Sequence, residues 1–274
     1  MRFLAAILCA PAAFAAAPDP HEIIQRAVSR DDSNEKAARN YTFLERMETR
    51  FLNSHGKVTK TTSRTHDVTM LEGSPYRRLV EKNDQPLPPD EEGKEQQKLD
   101  RSIQERLKES SEQRQKRLSN WQKDRDRDRR FIQEIPDAYT FALQGEESID
   151  GHSVFVISAT PRPEFRAKDQ RSKILGKFKG KFWIAQSDYQ LVKVEAEVVD
   201  NVNIGWFLIR LAKGGTISLE QTRVNDEVWL VRRISMKASA KLGLVKQLRI
   251  EQDIVYRNYR KFQTDSRIVD TAQP

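Results

Sequence analysis

From residue 41 onward, apolar and polar side chains alternate in short runs. In "KFWIAQSDYQLVKVEAEVVD" (181–200), Val192, Val194, Ala196 and Val198 alternate with Lys193, Glu195 and Glu197. This period of two predicts a strand with one dry face, the second of a pair joined by a tight turn. Tyr41, Phe43, Glu45 and Met47 alternate in the same way with Thr42, Leu44, Arg46 and Glu48. The segments 41–53, 56–73 and 76–84, joined at Gly56 and at "EGSPY", read as an antiparallel meander. After Pro136 the pattern resumes in two runs around the Asp150-Gly151 turn, followed by the quoted pair. Further strands are predicted over 203–224, 227–242 and 246–262, where Leu248, Ile250, Ile254 and Tyr256 share a face. Strands follow one another by short connections without βαβ alternation. The expected fold class is therefore α+β: one large, twisted antiparallel sheet with helices added.

Two regions depart from period two. Residues 21–39 place Ile23, Ile24, Ala27 and Val28 on one helical side, and the polar run "DDSNEK" predicts an interruption capped at Asp32 or Ser33. Residues 88–135 are dominated by mixed charges. Leu99, Ile103 and Leu107 form a narrow stripe, and "SSEQ" offers a capping box at Ser110. This predicts two solvated helices, or one bent helix, inserted between strands. The run "KDRDRDRR" (123–130) reads as a salt-bridged helix surface, because its signs nearly cancel, and no nucleic-acid partner is expected.

The N-terminus changes the setting. Arg2, an apolar run from Phe3 to Phe14 and small residues around Ala15 read as a secretory signal peptide over 1–17, leaving 18–274 as one exported domain. Cys9, the single cysteine, lies inside that run behind Leu8, so neither a lipid anchor there nor a disulfide is expected. No later run reaches the 18 or so apolar residues of a membrane-spanning helix. With a net charge of +8, the exported chain is expected to attract acidic envelope surfaces. The loop 162–181, carrying eight Lys or Arg against two acids, is the segment expected to dock on anionic lipid head groups.

Reactive chemistry is not legible. His21, His55, His66 and His152 are scattered without metal-ligand spacing, and no nucleophile elbow or P-loop occurs. No catalytic residue, metal or cofactor is expected, and the chain reads as a non-enzyme. What remains is an excess of one-sided strands. Helices with narrow stripes cannot dry a face built from seven or more strands, so the sheet either packs on itself or keeps a groove for an apolar guest.

Taken in order, the amphipathic helix, the meander and the segments "GKFWIAQSDYQLVKVEAEV" and "FLIRLAKGGTISLEQTRVNDEVWLVRRISMKA" resemble a known family. It is the periplasmic outer-membrane lipoprotein-sorting proteins, within the lipoprotein-carrier superfamily that includes the lipoprotein receptor and sigma-factor regulator sensor domains. The motif matches at Trp183, Ile184, Asp188, Leu191, Val192, Lys193 and Glu195, and the likeness spans roughly 21–262 without 88–134. The resemblance implies an open half-barrel whose concave apolar face, lidded by helices, takes acyl chains across the periplasm. The candidate lining residues are Phe43, Met47, Phe155, Ile157, Phe182, Ile184, Val192, Val194, Ile234, Met236, Ile250 and Ile254. The charged insertion departs from the family pattern. The leading expectation is a periplasmic carrier or binding protein for a lipid or an acylated lipoprotein. The alternative is a structural or sensory module that docks an envelope protein through 90–133.

Overall fold

A computed structural model describes residues 18–204, 209–242 and 246–262. The predicted signal peptide with Cys9, and residues 205–208 of the predicted strand 203–224, lie outside the described residues. Helix α1, Pro20–Ala38, starts at Asp19, whose side chain accepts from the His21 amide, and Pro20 occupies the first turn. The expected interruption at "DDSNEK" is absent. Ion pairs one turn apart, Lys36–Asp32 and Arg39–Glu35, carry the helix through the polar run.

The strands are β1 Tyr41–Leu52, β2 Val58–Leu71, β3 Ser74–Lys82, β4 Gln85–Pro86, β5 Tyr139–Ile149, β6 His152–Pro161, β7 Phe178–Ala185 and β8 Leu191–Val198. The short pair β9 Val202–Ile204 and β10 Ile209–Leu211 stands in the first half of the predicted 203–224 strand, and β11 Thr216–Val224, β12 Val228–Leu242 and β13 Lys246–Lys261 complete the set. All pair antiparallel, in the order β4-β3-β2-β1-β13-β12-β11-β8-β7-β6-β5, with β10 and β9 branching from β12. The sheet is curved and open, because β4 and β5 end it without meeting. Residues with positive φ sit where the chain reverses: Asp150 (49°) and Gly151 (81°) between β5 and β6, and Asn225 (51°) and Asp226 (55°) between β11 and β12.

The insertion forms two helices, α2 Pro89–Leu107 and α3 Ser111–Gln133, followed by one turn, α4 Ile135–Ala138. Ser110 and Gln113 make the expected reciprocal capping box. Neither long helix has a fully buried residue, and Leu107 of the predicted stripe is 61% exposed. A single 3-10 turn, Ser172–Lys177, interrupts the basic loop before β7.

The core is lopsided. Ile23 and Ile24 of α1 pack with Phe155, Ile157 and Ile184, with Phe141, Leu143, Phe182 and Leu191 around them. Asn34 clamps the helix to β12 by accepting from the Trp229 amide and donating to its carbonyl, both at 2.8 Å. Ile157 is wholly buried, whereas Ile217 on the same sheet is 39% exposed. Ile157→Ala should therefore cost about 2–5 kcal/mol in urea unfolding, and Ile217→Ala about 0.5 kcal/mol or less.

Candidate functional site

Residues directly opposite in an antiparallel sheet point to the same side, so the register assembles faces strand by strand. Leu143 pairs with Ile157, Ile157 with Phe182, Phe182 with Val194, and Val194 with Leu219. Leu219 in turn pairs with Ile234, Ile234 with Ile254, and Ile254 with Met47. One apolar row thus crosses β5, β6, β7, β8, β11, β12, β13 and β1 on the face that carries α1. A second row runs beside it as Ala159, Gly180, Ala196, Ile217 and Met236, and turns polar at Gln252 and Thr49. On the far side, Ile250 pairs with Phe51 and with Ala238.

Helices cover only part of this face. Helix α1 reaches β5, β7 and β12, and α2 reaches β3. Beneath α1 the row is dry, as Ile157 and Ile184 show. Farther along, Val194, Leu219, Ile234, Met236, Ile250, Ile254, Met47 and Phe51 are only half-buried, and Ile217 is exposed. The candidate site is this uncovered apolar strip across β8, β11, β12, β13 and β1.

The register sorts the sequence-derived lining residues into groups. Met47, Val194, Ile234, Met236, Ile250 and Ile254 lie on the uncovered strip. Phe155, Ile157, Phe182 and Ile184 lie on the same face but pack beneath α1. Phe43 turns toward Tyr256 and Tyr259, each ring 5.5 Å away. Val192 belongs to the opposite face, packed with Val154, Val156, Trp183, Ala185 and Trp229. The reason is an irregularity in β8: Ile184 pairs with Leu191 while Trp183 pairs with Lys193, so Val192 is the extra residue of a bulge. Strict alternation through Val192 and Val194 therefore fails there, and Leu191 takes the inward place. Leu219 and Ile217, which join the halves of the strip, were not among the sequence candidates. Their alternation in "TISLEQTRV" was the available signal.

Away from the cluster packed around Val192, the opposite face turns polar, as the cross-strand row Ser158, Lys181, Glu195, Ser218, Ser235 and Asp253 shows. A cleft of about 640 Å³ is lined by residues of both parities, Lys179, Lys181, Glu195, Glu197, Ser158, Ser218 and Ser235 together with Ala159, Gly180, Ala196 and Ile217 of the second apolar row. These charged residues alternate with Phe182 and Val194, so they point away from the apolar strip. Among the described residues no cluster of three or more His, Cys, Asp or Glu could hold a metal ion. No helix of the described residues is long and apolar enough to cross a membrane.

Charge holds the inserted helix in place. Glu35 of α1 receives Arg125 and Arg129 of α3 as well as Arg39, and Asp32 pairs with Arg129 at 2.7 Å. Trp121 lies under both guanidiniums, 5.5 Å from Arg39 and 5.3 Å from Arg125. Burial pushes the Glu35 carboxyl up, but hydrogen bonds and charge from Arg39 and Arg125 outweigh it and hold the group below the usual carboxylate range. A depressed carboxylate stabilises the folded contact above its unfolded pKa, and that contribution is lost as pH falls through the folded value. Acidification below the carboxylate range should therefore free α3 from α1. Salt that shortens the screening length to about 3 Å, or Glu35→Gln at neutral pH, should weaken the contact in the same direction. Faster amide hydrogen exchange over Ser111–Gln133 under each condition is the expected reading, with exchange in β6 unchanged.

No protein-family profile matches the chain. No curated protein matches it either. Solved structures do. The chain is similar to a domain assigned to outer membrane lipoprotein sorting from Vibrio parahaemolyticus, at 13% identity and a TM-score of 0.37, covering 89% of this chain and 95% of that one. It is similar to a DUF1329 family protein from Desulfovibrio piger, at 12% identity and a TM-score of 0.35, covering 91% and 96%. A LolA superfamily protein from Nitrosomonas europaea matches at 12% identity and a TM-score of 0.33, covering 90% and 95%.

Proposed function

We propose that this chain is a periplasmic binding or carrier protein for a lipid or an acylated lipoprotein, and that the acyl chain lies on the uncovered strip. The observation that carries this reading is the unbroken apolar row from Val194 through Leu219, Ile234 and Ile254 to Met47, which stays only half-buried away from the Ile23 and Ile24 cluster. Water on such a strip is unfavourable. Covering it with hydrocarbon returns about 25 cal/mol per Å² of apolar area, or about 0.8 kcal/mol per methylene of the guest. Affinity then follows from area and needs no reactive group. The strip lies apart from the Ile23 and Ile24 cluster, so a ligand can occupy it without disturbing the core under α1.

A second reading rests on the insertion itself. Helices α2 and α3 contain no fully buried residue yet carry dense charge. This favours a docking role toward an envelope protein through residues 90–133. The basic segment 162–181 supports attraction to anionic membrane surfaces in either case: Lys168, Arg171, Lys177 and Lys179 have acidic partners at Asp137, Asp128, Asp200 and Glu197, while Arg166, Lys173 and Lys181 are exposed.

Native mass spectrometry of protein purified from an envelope fraction should reveal co-purifying lipid. A fluorescent fatty acid should bind the delipidated protein, and Ile234→Asp should weaken it by about tenfold or more, the scale of losing 1.4 kcal/mol, while circular dichroism stays unchanged. A lipid-free mass together with no fatty-acid binding would contradict the carrier reading. Deletion of 90–133 separates the two readings: altered lipid retention supports a covering role, and loss of a partner protein with lipid binding intact supports docking.

A further inference from the structure

The apolar row does not stop at Met47. Its next partner across the sheet is Arg64 of β2, and the partner of Arg64 on β3 is Lys82. Neighbouring strands lie about 4.8 Å apart, so the greasy row passes into two cations within about 10 Å of Met47 on the same face. Arg64 is exposed and makes no hydrogen bond or ion pair with a described residue, unlike the guanidiniums of Arg46, Arg50 and Arg77 on the neighbouring strands, each of which holds a carboxylate. Lys82 also lines a cleft of about 430 Å³ between β3 and α2, whose other charged walls are Lys94, Lys98 and Arg101 against Glu91 and Glu95. The two carboxylates are already engaged, Glu91 by Lys82 and Glu95 by Lys98. Lys94 and Arg101 have no ion-pair partner among the described residues, and Lys82, the cross-strand neighbour of Arg64, joins this cleft to the end of the strip.

An uncharged guest gains nothing from this arrangement. Unpaired cations at the end of an apolar row match an amphiphile with one anionic end, because a guanidinium holds a phosphate or carboxylate by two parallel hydrogen bonds. We infer that Arg64, with Lys94 and Arg101, forms the head-group site for an anionic acyl lipid whose tail lies along Met47, Ile254 and Ile234. The inference rests on the carrier reading and narrows it, because it selects a phosphate- or carboxylate-bearing amphiphile over a neutral acylated one. Arg77 takes no part: it is held by the buried Glu45 beside it.

The test compares dodecyl phosphate, monododecanoyl glycerol and inorganic phosphate on the delipidated protein by calorimetry, with Arg64→Gln and Arg101→Gln alongside. Dodecyl phosphate should bind about tenfold or more tightly than the neutral glyceride, the scale of one charge-assisted contact. Each substitution should remove most of that difference without touching glyceride affinity, and added salt should weaken only the phosphate ester. Equal affinity for the two amphiphiles, or equal losses for both in the variants, would overturn the head-group site and leave the carrier reading standing. Failure of both amphiphiles to bind would overturn the two together. Inorganic phosphate binding as tightly as its dodecyl ester would identify a free-anion site and overturn the lipid assignment. Both substituted residues are exposed, and circular dichroism with an Ile157→Ala reference separates loss of binding from loss of fold.

Discussion

The structure depends on one mismatch of areas. A sheet with eleven strands along its path presents an apolar face much wider than a single 19-residue helix can shield. Where α1 lies, Ile23 and Ile24 complete a dry core with Phe155, Ile157 and Ile184. Beyond that cluster the same rows continue as Val194, Leu219, Ile234 and Ile254, which are only half-buried. Antiparallel pairing makes this unavoidable, since a strand that contributes an inward residue to the core must send the others of its parity to the same side.

The insertion answers the mismatch with charge. Helices α2 and α3 bury no residue fully, and α3 adds only Phe131 to the cluster of Ala138, Tyr139, Ala159 and Leu175. They are tied at discrete points: Arg117 to the Ser74 hydroxyl and the Glu72 carbonyl, Lys82 to Glu91, and Arg125 and Arg129 to Glu35. Partly exposed ion pairs of this kind contribute modestly and weaken with salt and acid. Helices fastened in this way can release at small cost while the α1 core stays closed. By contrast, the buried Glu134, which accepts from Ser172 Oγ at 2.7 Å and the Lys168 amide at 2.9 Å, fixes the base of the basic loop firmly to α4.

Much of this was legible in the sequence because period two and the capping signals are local. The meander, the Asp150-Gly151 hairpin, the Ser110 capping box and the inserted helices all follow from neighbours within a few residues. The face of Val192 was not, because a bulge in β8 is decided by how Trp183 and Lys193 meet across the strands. The continuity of α1 through "DDSNEK" was missed for a related reason: the polar run reads as a break until Arg125 and Arg129 arrive from a segment about ninety residues away. Which inward residues stay uncovered was beyond the sequence altogether, since it depends on where a helix comes to rest. For that reason Phe155 and Ile254 looked equivalent as sequence and are not equivalent in the fold.

The most direct measurement of the central claim is photo-crosslinking with a diazirine-bearing fatty acid, followed by peptide mapping. Label concentrated on β11, β12, β13 and β1, at Leu219, Ile234, Ile254 and Met47, is the predicted result. Label confined to the opposite-face residues Lys181, Glu195 and Ser218, or spread evenly over both faces, would contradict it.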